Sequence, residues 1–271
     1  MSNNNLRIER VDSIHNAGVK RVVRLRTKKS REARGQTIVE GVREVRQALR
    51  AGLRFHCVYI CREGVYHCPD DLLKEIQSSG TRILEAGCSV YDRMAYGDRR
   101  EGVLALVEQP HWTLDRLTLS SVPLVVVLEN VEKPGNLGAI LRTADGAGAD
   151  ALLICDDKTD IYNPNTVRAS LGAVFTVPTV TCSAGEALTF LRAKGIRTFA
   201  AVVQATDKYF NSDMRGPAAV VLGSEQDGLG EFWVRNTDES VCIPMLGKID
   251  SLNVSVAAAL MIYEAVRQRA K

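Results

Sequence analysis

Leu124-Val-Val-Val-Leu-Glu-Asn-Val-Glu-Lys-Pro-Gly-Asn-Leu-Gly-Ala-Ile-Leu-Arg-Thr-Ala-Asp145 carries the two periodicities on which the fold turns. Its first five residues form a continuous apolar run, mostly β-branched. That is the composition of a strand buried on both faces, the kind found in parallel sheets covered by helices. Pro134 suits the opening turn of a helix, and Leu137, Ile140, Leu141 and Ala144 then share one stripe at helical spacing. Further strands are predicted at 151–155, 174–177, 198–203, 218–222 and 240–244, with helical stretches between several of them. The expected fold is α/β with a mostly parallel sheet.

Working back toward the N-terminus, composition changes at 108–123, where Pro110 and Pro123 bracket a stretch with no clean period. Upstream of it, a helix-like run over 13–34 is basic nearly all round. A strand at 37–41, a helix at 42–51 closed by Gly52, a strand at 55–61, a helix at 70–79, a strand at 81–84, a helix at 89–95 and a strand at 103–107 follow. This alternation predicts a small α/β domain over 1–108, a linker over 109–123 and the parallel-sheet domain over 124–271.

Hydrophobic residues make up 45% of the 271-residue chain and charged residues 25%, the balance of an ordinary globular protein. The longest apolar runs, 122–128 and 254–263, fall short of the roughly 18 to 20 residues that span a bilayer. Met1-Ser-Asn-Asn-Asn5 is polar and lacks an apolar signal core, so a cytoplasmic location is expected. Seven cysteines, widely spread and without a CxxC pair, argue against a disulfide framework and a standard zinc site. Cys57 and Cys61, of equal parity along one strand, are expected as buried thiols. The net charge of +3 conceals an asymmetry: residues 1–50 hold 13 Lys/Arg against 5 Asp/Glu. Such a basic arm is the footprint expected for phosphate contact, and it is equally the composition of a solvated helix face.

Three Gly-rich polar segments each follow a predicted buried strand: 129–145, 222–230 and 243–255. In an open α/β sheet, ligands bind at the carboxyl ends of strands, so these loops are where a site would assemble. None is a GxGxxG fingerprint and none ends in Gly-Lys-Ser/Thr, which counts against a nicotinamide cofactor and against nucleotide hydrolysis. Arg142 lies off the apolar stripe of its helix, as a solvated arginine also would. Ser251 or Asp250 is suited to cap the last helix; capping by either gives no reason for Asn253.

Taken together, the three segments resemble the signature motifs of the SpoU/TrmH branch of the SPOUT RNA methyltransferases, centred on Asn136-Leu-Gly-Ala-Ile-Leu-Arg142, Gly223-Ser-Glu225 and Ser251-Leu-Asn-Val-Ser255. The likeness runs from Leu124 to the C-terminus. It departs at Ser224, where many relatives carry Asn. The stretch from Ile38-Val-Glu-Gly41 through Ala48-Leu-Arg-Ala-Gly52 resembles, more loosely, the accessory RNA-binding domain of that family.

The resemblance implies a parallel α/β sheet whose last third threads a trefoil knot, and S-adenosylmethionine (AdoMet) held by Gly223, Ile243 and Leu252. It implies methyl transfer to a ribose 2′-hydroxyl of structured RNA, ribosomal (23S) or else transfer RNA, by a homodimer that needs no metal. Asn136, Arg142, Glu225, Ser251 and Asn253 are then the site residues. All four histidines (15, 56, 67 and 111) precede this region, so it supplies no histidine base. Arg142 is instead expected to orient the acceptor and stabilise the developing alkoxide, with Glu225 fixing loop geometry or Arg142 itself. A non-catalytic RNA-binding protein is the rival from another class, and retention of all five site residues speaks against it.

Overall fold

The computed structural model describes residues 8–97, 101–156 and 158–270. These fall into two compact units: the residues up to Pro110 together with Tyr162–Thr176, and His111–Ile161 together with Val177 onward.

The first unit runs β1 (Glu9–Val11), α1 (Ala17–Arg24), α2 (Lys28–Glu32), β2 (Gln36–Glu40), α3 (Val42–Arg50), β3 (Phe55–Ile60), α4 (Asp70–Ser78), β4 (Ile83–Ala86), α5 (Cys88–Met94) and β5 (Val103–Glu108). Its five strands lie in the order β1-β4-β3-β5-β2. Strands β1, β4 and β3 are parallel, and β5 is antiparallel to both its neighbours. The basic run over 13–34 is two helices, not one. Helix α1 stops at Leu25, and the Thr27 hydroxyl accepts from the Ser30 amide to start α2. Nor is the run basic all round: Val19, Val22 and Leu25 are buried with Ile38, Tyr59 and Leu106, and both Cys57 and Cys61 join that core.

Two cations of this arm are structural. Arg31 is 1% exposed and donates to the Leu25 carbonyl at 2.7 Å. Arg26 donates to the Ala95 carbonyl at 2.5 Å and to that of Arg93 at 3.1 Å, closing the end of α5. Lys20, Arg24, Lys29 and Arg34 remain exposed.

The second unit opens with β6 (Leu124–Leu128), α6 (Pro134–Gly146) and β7 (Ala151–Ile154). Helix α7 (Pro164–Ala169) then belongs to the first unit, where the Thr37 hydroxyl donates to the Tyr162 carbonyl at 3.0 Å and Tyr162 donates to the Pro110 carbonyl at 2.7 Å. A division of the chain at one linker therefore misses this excursion. The second unit resumes with β8 (Thr179–Thr181), α8 (Ala184–Ala193), β9 (Arg197–Ala201), β10 (Asp207–Lys208), β11 (Ala218–Leu222), α9 (Glu231–Asn236), β12 (Glu239–Cys242) and α10 (Val254–Arg269).

The strand predicted at 174–177 is instead a 3-10 turn over Ala173–Phe175. Leu171 and Gly172, at φ 53° and 86°, both take the left-handed conformation and break the extended path. A Cβ on Gly172 would come within 2.7 Å of Gln47 Cβ, so the position requires glycine.

Seven parallel strands form the second sheet, in the order β10-β12-β9-β11-β6-β7-β8. Every residue of the central pair β6 and β11 is buried, as their unbroken apolar composition requires. Helix α10 packs on α6 and β11. Its last turn is anchored by Arg269, which donates to the carbonyls of Val122, Pro123, Met214 and Gly216, so the start of α10 is held at the carboxyl ends of the strands.

Candidate active site

At the carboxyl ends of β9, β11 and β12 lies a cleft of about 540 Å³. Its walls are the loop 222–229, the segment 201–204, Val241, Ile243 and Met245, and the residues leading into α10. Gly223, Glu225, Ser251, Ile243 and Leu252 all line it; Asn136, Asn253 and Arg142 do not. No histidine lines it.

The loop after β11 is a closed turn. Ser224 and Gly228 exchange backbone hydrogen bonds at 3.1 Å, and the Ser224 hydroxyl accepts from the Asp227 amide at 2.9 Å. A Cβ on Gly223 would lie 2.0 Å from the Gly228 carbonyl oxygen. Glycine is therefore required here first by the loop's own backbone, ahead of any approach to a ligand. The turn carries Glu225 toward the starts of α6 and α10.

There the three signature segments meet. Asn253 is the N-cap of α10: its side-chain oxygen accepts from the Ser255 amide at 3.0 Å and from the Ser255 hydroxyl at 2.6 Å. Neither Ser251 nor Asp250 caps the helix, which corrects the sequence reading; Ser251 is exposed on the cleft wall. With its oxygen so committed, the Asn253 amide nitrogen donates to Asn136 Oδ1 at 3.2 Å and to Glu225 Oε1. The other Glu225 oxygen pairs with Lys133 Nζ.

The Lys133 ammonium, together with hydrogen bonds from Asn136 and the Val254 amide, holds the Glu225 carboxyl below the usual glutamate range despite partial desolvation. A carboxylate so occupied organises its neighbours and is a poor proton acceptor.

Lys133 is not marked out by any sequence motif. Its partner is 92 residues away and a lysine before a proline has no signature, but a Lys where an N-cap normally prefers Ser, Thr, Asp or Asn is a readable anomaly.

Arg142 stands apart from this cluster. It is six residues beyond Asn136 on α6, about 9 Å along the axis and on another face. It is exposed and, among the described residues, takes part in no hydrogen bond or ion pair.

The cleft suits AdoMet by size and by lining, since main chain, Gly223 and the apolar Ile243, Leu252 and Val241 are what an adenosine can lie against. No group of three His, Cys, Asp or Glu placed to hold a metal occurs among the described residues. No helix among them is long and apolar enough to cross a membrane.

A parallel sheet with a cleft at the carboxyl ends of its strands, walled by the second and third of these loops and tied to the first through Asn136, defines a class of RNA-modifying methyltransferases. The SpoU rRNA Methylase family model matches residues 123–263, and an MRM3-like substrate binding domain matches 16–105. The chain belongs to the SpoU rRNA methylase family. It is 36% identical over 204 residues to the 23S rRNA (guanosine-2'-O-)-methyltransferase RlmB of Ralstonia nicotianae, covering 73% of this chain and 82% of that one. It is also 36% identical to the 23S rRNA (uridine(2479)-2'-O)-methyltransferase of Streptomyces viridochromogenes, covering 65% and 64%. Among solved structures, an AdoMet-bound rRNA methyltransferase from Sinorhizobium meliloti superposes with a TM-score of 0.87 at 28% identity, covering 97% of this chain and 99% of that one.

Proposed function

We infer that this protein transfers a methyl group from AdoMet to the ribose 2′-hydroxyl of one nucleotide in 23S ribosomal RNA. The observation that carries the reading is the junction of Asn136, Glu225 and Asn253 beside the cleft, which joins all three signature segments through side-chain hydrogen bonds. AdoMet supplies a methyl group on a sulfonium, and its transfer is an in-line displacement that depends chiefly on alignment. Gly223, Ile243 and Leu252 would hold the cofactor. Asn136, Ser251 and Asn253 would orient the acceptor around it, Glu225 would fix their amides, and Arg142 would stabilise negative charge as the hydroxyl loses its proton.

The same reading gives 1–108 the role of selecting RNA, 109–123 that of a linker and 124–271, apart from the excursion over Tyr162–Thr176, the chemistry, in the cytoplasm. It includes the threaded C-terminal path. Strand β12 lies beyond β9 from β11, yet α10 returns to β11 and α6, so the segment 243–253 recrosses the strand ends, which supports a knot. It also includes a homodimer. Val256, Leu260 and Tyr263, 47%, 36% and 49% exposed, recur at helical spacing along α10, and a second copy would cover them.

Incubating the protein with methyl-labelled AdoMet and either 23S or transfer RNA, then mapping ribose methylation, tests the substrate. One modified ribose in 23S RNA is expected. The two relatives named above differ in the base at their target, so the mapping also assigns it. Label confined to transfer RNA, or absent, overturns the proposal.

A further inference from the structure

We propose that Lys133 is a positioning residue for methyl transfer, acting through Glu225 on the amides of Asn136 and Asn253. The proposal rests on the function just inferred. Lys133 occupies the N-cap of α6, with no side-chain capping bond. A positive charge there opposes the helix dipole, whose N-terminal end favours anions. Local helix chemistry therefore does not account for a lysine at this position; its partner does. The ammonium reaches Glu225 on the loop after β11, and that carboxylate's second oxygen accepts from Asn253.

One consequence concerns which way the amides face. Asn253 has its oxygen bound by Ser255, so its nitrogen must point at Glu225 and Asn136. That nitrogen's bond to Glu225 is strongest while the carboxyl is ionised, because it is then charge-assisted. A protonated Glu225 would present a hydroxyl and weaken the bond. Lys133 is the charged group acting on Glu225; its other partners, Asn136, Asn253 and the Val254 amide, are neutral. The lysine is thus what keeps the junction in one hydrogen-bonding state as pH falls.

An exposed ion pair by itself contributes little to stability. Lys133 is 74% exposed on its side chain, so its removal should leave folding intact.

The test compares the full-length protein with Lys133→Met and Lys133→Arg, using 23S RNA and labelled AdoMet. Lys133→Met should slow single-turnover transfer by about tenfold to a hundredfold, the range in which small misplacements act, with RNA affinity changed less than about twofold. The acid limb of its rate profile should move to higher pH. Lys133→Arg should recover most of the rate. In parallel, NMR titration of the Glu225 carboxyl needs no RNA, so it stands even if the substrate assignment fails; there, Lys133→Met should raise the midpoint. A wild-type rate and an unmoved Glu225 midpoint in Lys133→Met overturn the proposal. So does weakened RNA binding with a shallower salt dependence at unchanged transfer rate, which would make Lys133 a phosphate contact.

Discussion

Asn253 turns its side-chain oxygen onto the first turn of α10, 3.0 Å from the Ser255 amide, and its amide nitrogen onto Asn136 Oδ1, 3.2 Å away and 117 residues distant in sequence. One side chain therefore serves both as helix cap and as the link between two signature segments.

The two roles separate by substitution. Serine caps as well as asparagine does but is too short to reach Glu225 and Asn136. Asn253→Ser should therefore melt near wild type while its transfer rate falls on the order of a hundredfold, the usual scale for loss of one preorganised donor. Asn253→Ala should lose the rate and also about 1 kcal/mol of stability with the cap. Thermal melts beside single-turnover kinetics decide it, and a wild-type rate in the serine variant refutes the linking role.

Gly223→Ala places a methyl group against the Gly228 carbonyl, and main chain must move to admit it. The expected cost is about 1–3 kcal/mol, typical of overpacking, with AdoMet affinity lowered as the cleft wall shifts. Calorimetric binding together with a melt checks both. Unchanged AdoMet binding would show that the loop geometry is not part of the cofactor site.

For the basic arm, the structure divides the arginines. Neutralising the exposed Arg24, Lys29 and Arg34 should flatten the dependence of log RNA affinity on log salt, by about 0.7–0.9 for each phosphate that the variant no longer neutralises. Arg31→Met should instead lower the melting temperature, because it removes the buried donor to the Leu25 carbonyl. An unaltered salt slope in the triple variant would leave those cations as a solvated face.

If α10 pairs with a second copy, Leu260→Lys with Tyr263→Lys should drive the protein to a monomer in sedimentation, with loss of methyl transfer. A wild-type protein that is active as a monomer at assay concentration refutes the dimer.

What the sequence made legible was whatever rested on local pattern. Strands β6 and β11 and the start of α6 are as read, because unbroken apolar runs and a proline at the first helical turn admit few alternatives. The cleft falls at the carboxyl ends of the strands, where Gly-rich loops in an open sheet converge. What escaped depended on distant partners or on backbone conformation. Strand β1 is three residues long and exists only by pairing with β4. A strand at 174–177 does not form because two consecutive left-handed residues precede it. Asp250, Ser251 and Asn253 are all good capping residues, and only the path of 243–253 selects the third. Arg31 reads as surface in the sequence because charge pattern does not report burial.

Arg142 supplies the sharpest test, since its two readings part at one observable, the rate of methyl transfer. As an exposed helix residue without a hydrogen bond or ion pair among the described residues, it contributes nothing local that alanine, the better helix former, would lose. Arg142→Ala should therefore leave the melting temperature and AdoMet affinity near wild type. If the guanidinium stabilises charge on the ribose oxygen, the same variant should lose on the order of a hundredfold or more in single-turnover transfer. Arg142→Lys should restore little, because a flexible point charge does not reproduce a planar fork of donors. The position of Arg142 away from Asn136, Glu225 and Asn253 in one chain adds a further expectation: if its acceptor site is completed by a second copy, mixing an excess of Arg142→Ala with an otherwise intact Asn253→Ser variant should restore part of the rate. Near-wild-type transfer by Arg142→Ala alone rejects the catalytic role, and failure of the mixture to recover any rate places Arg142 with the cluster of its own chain.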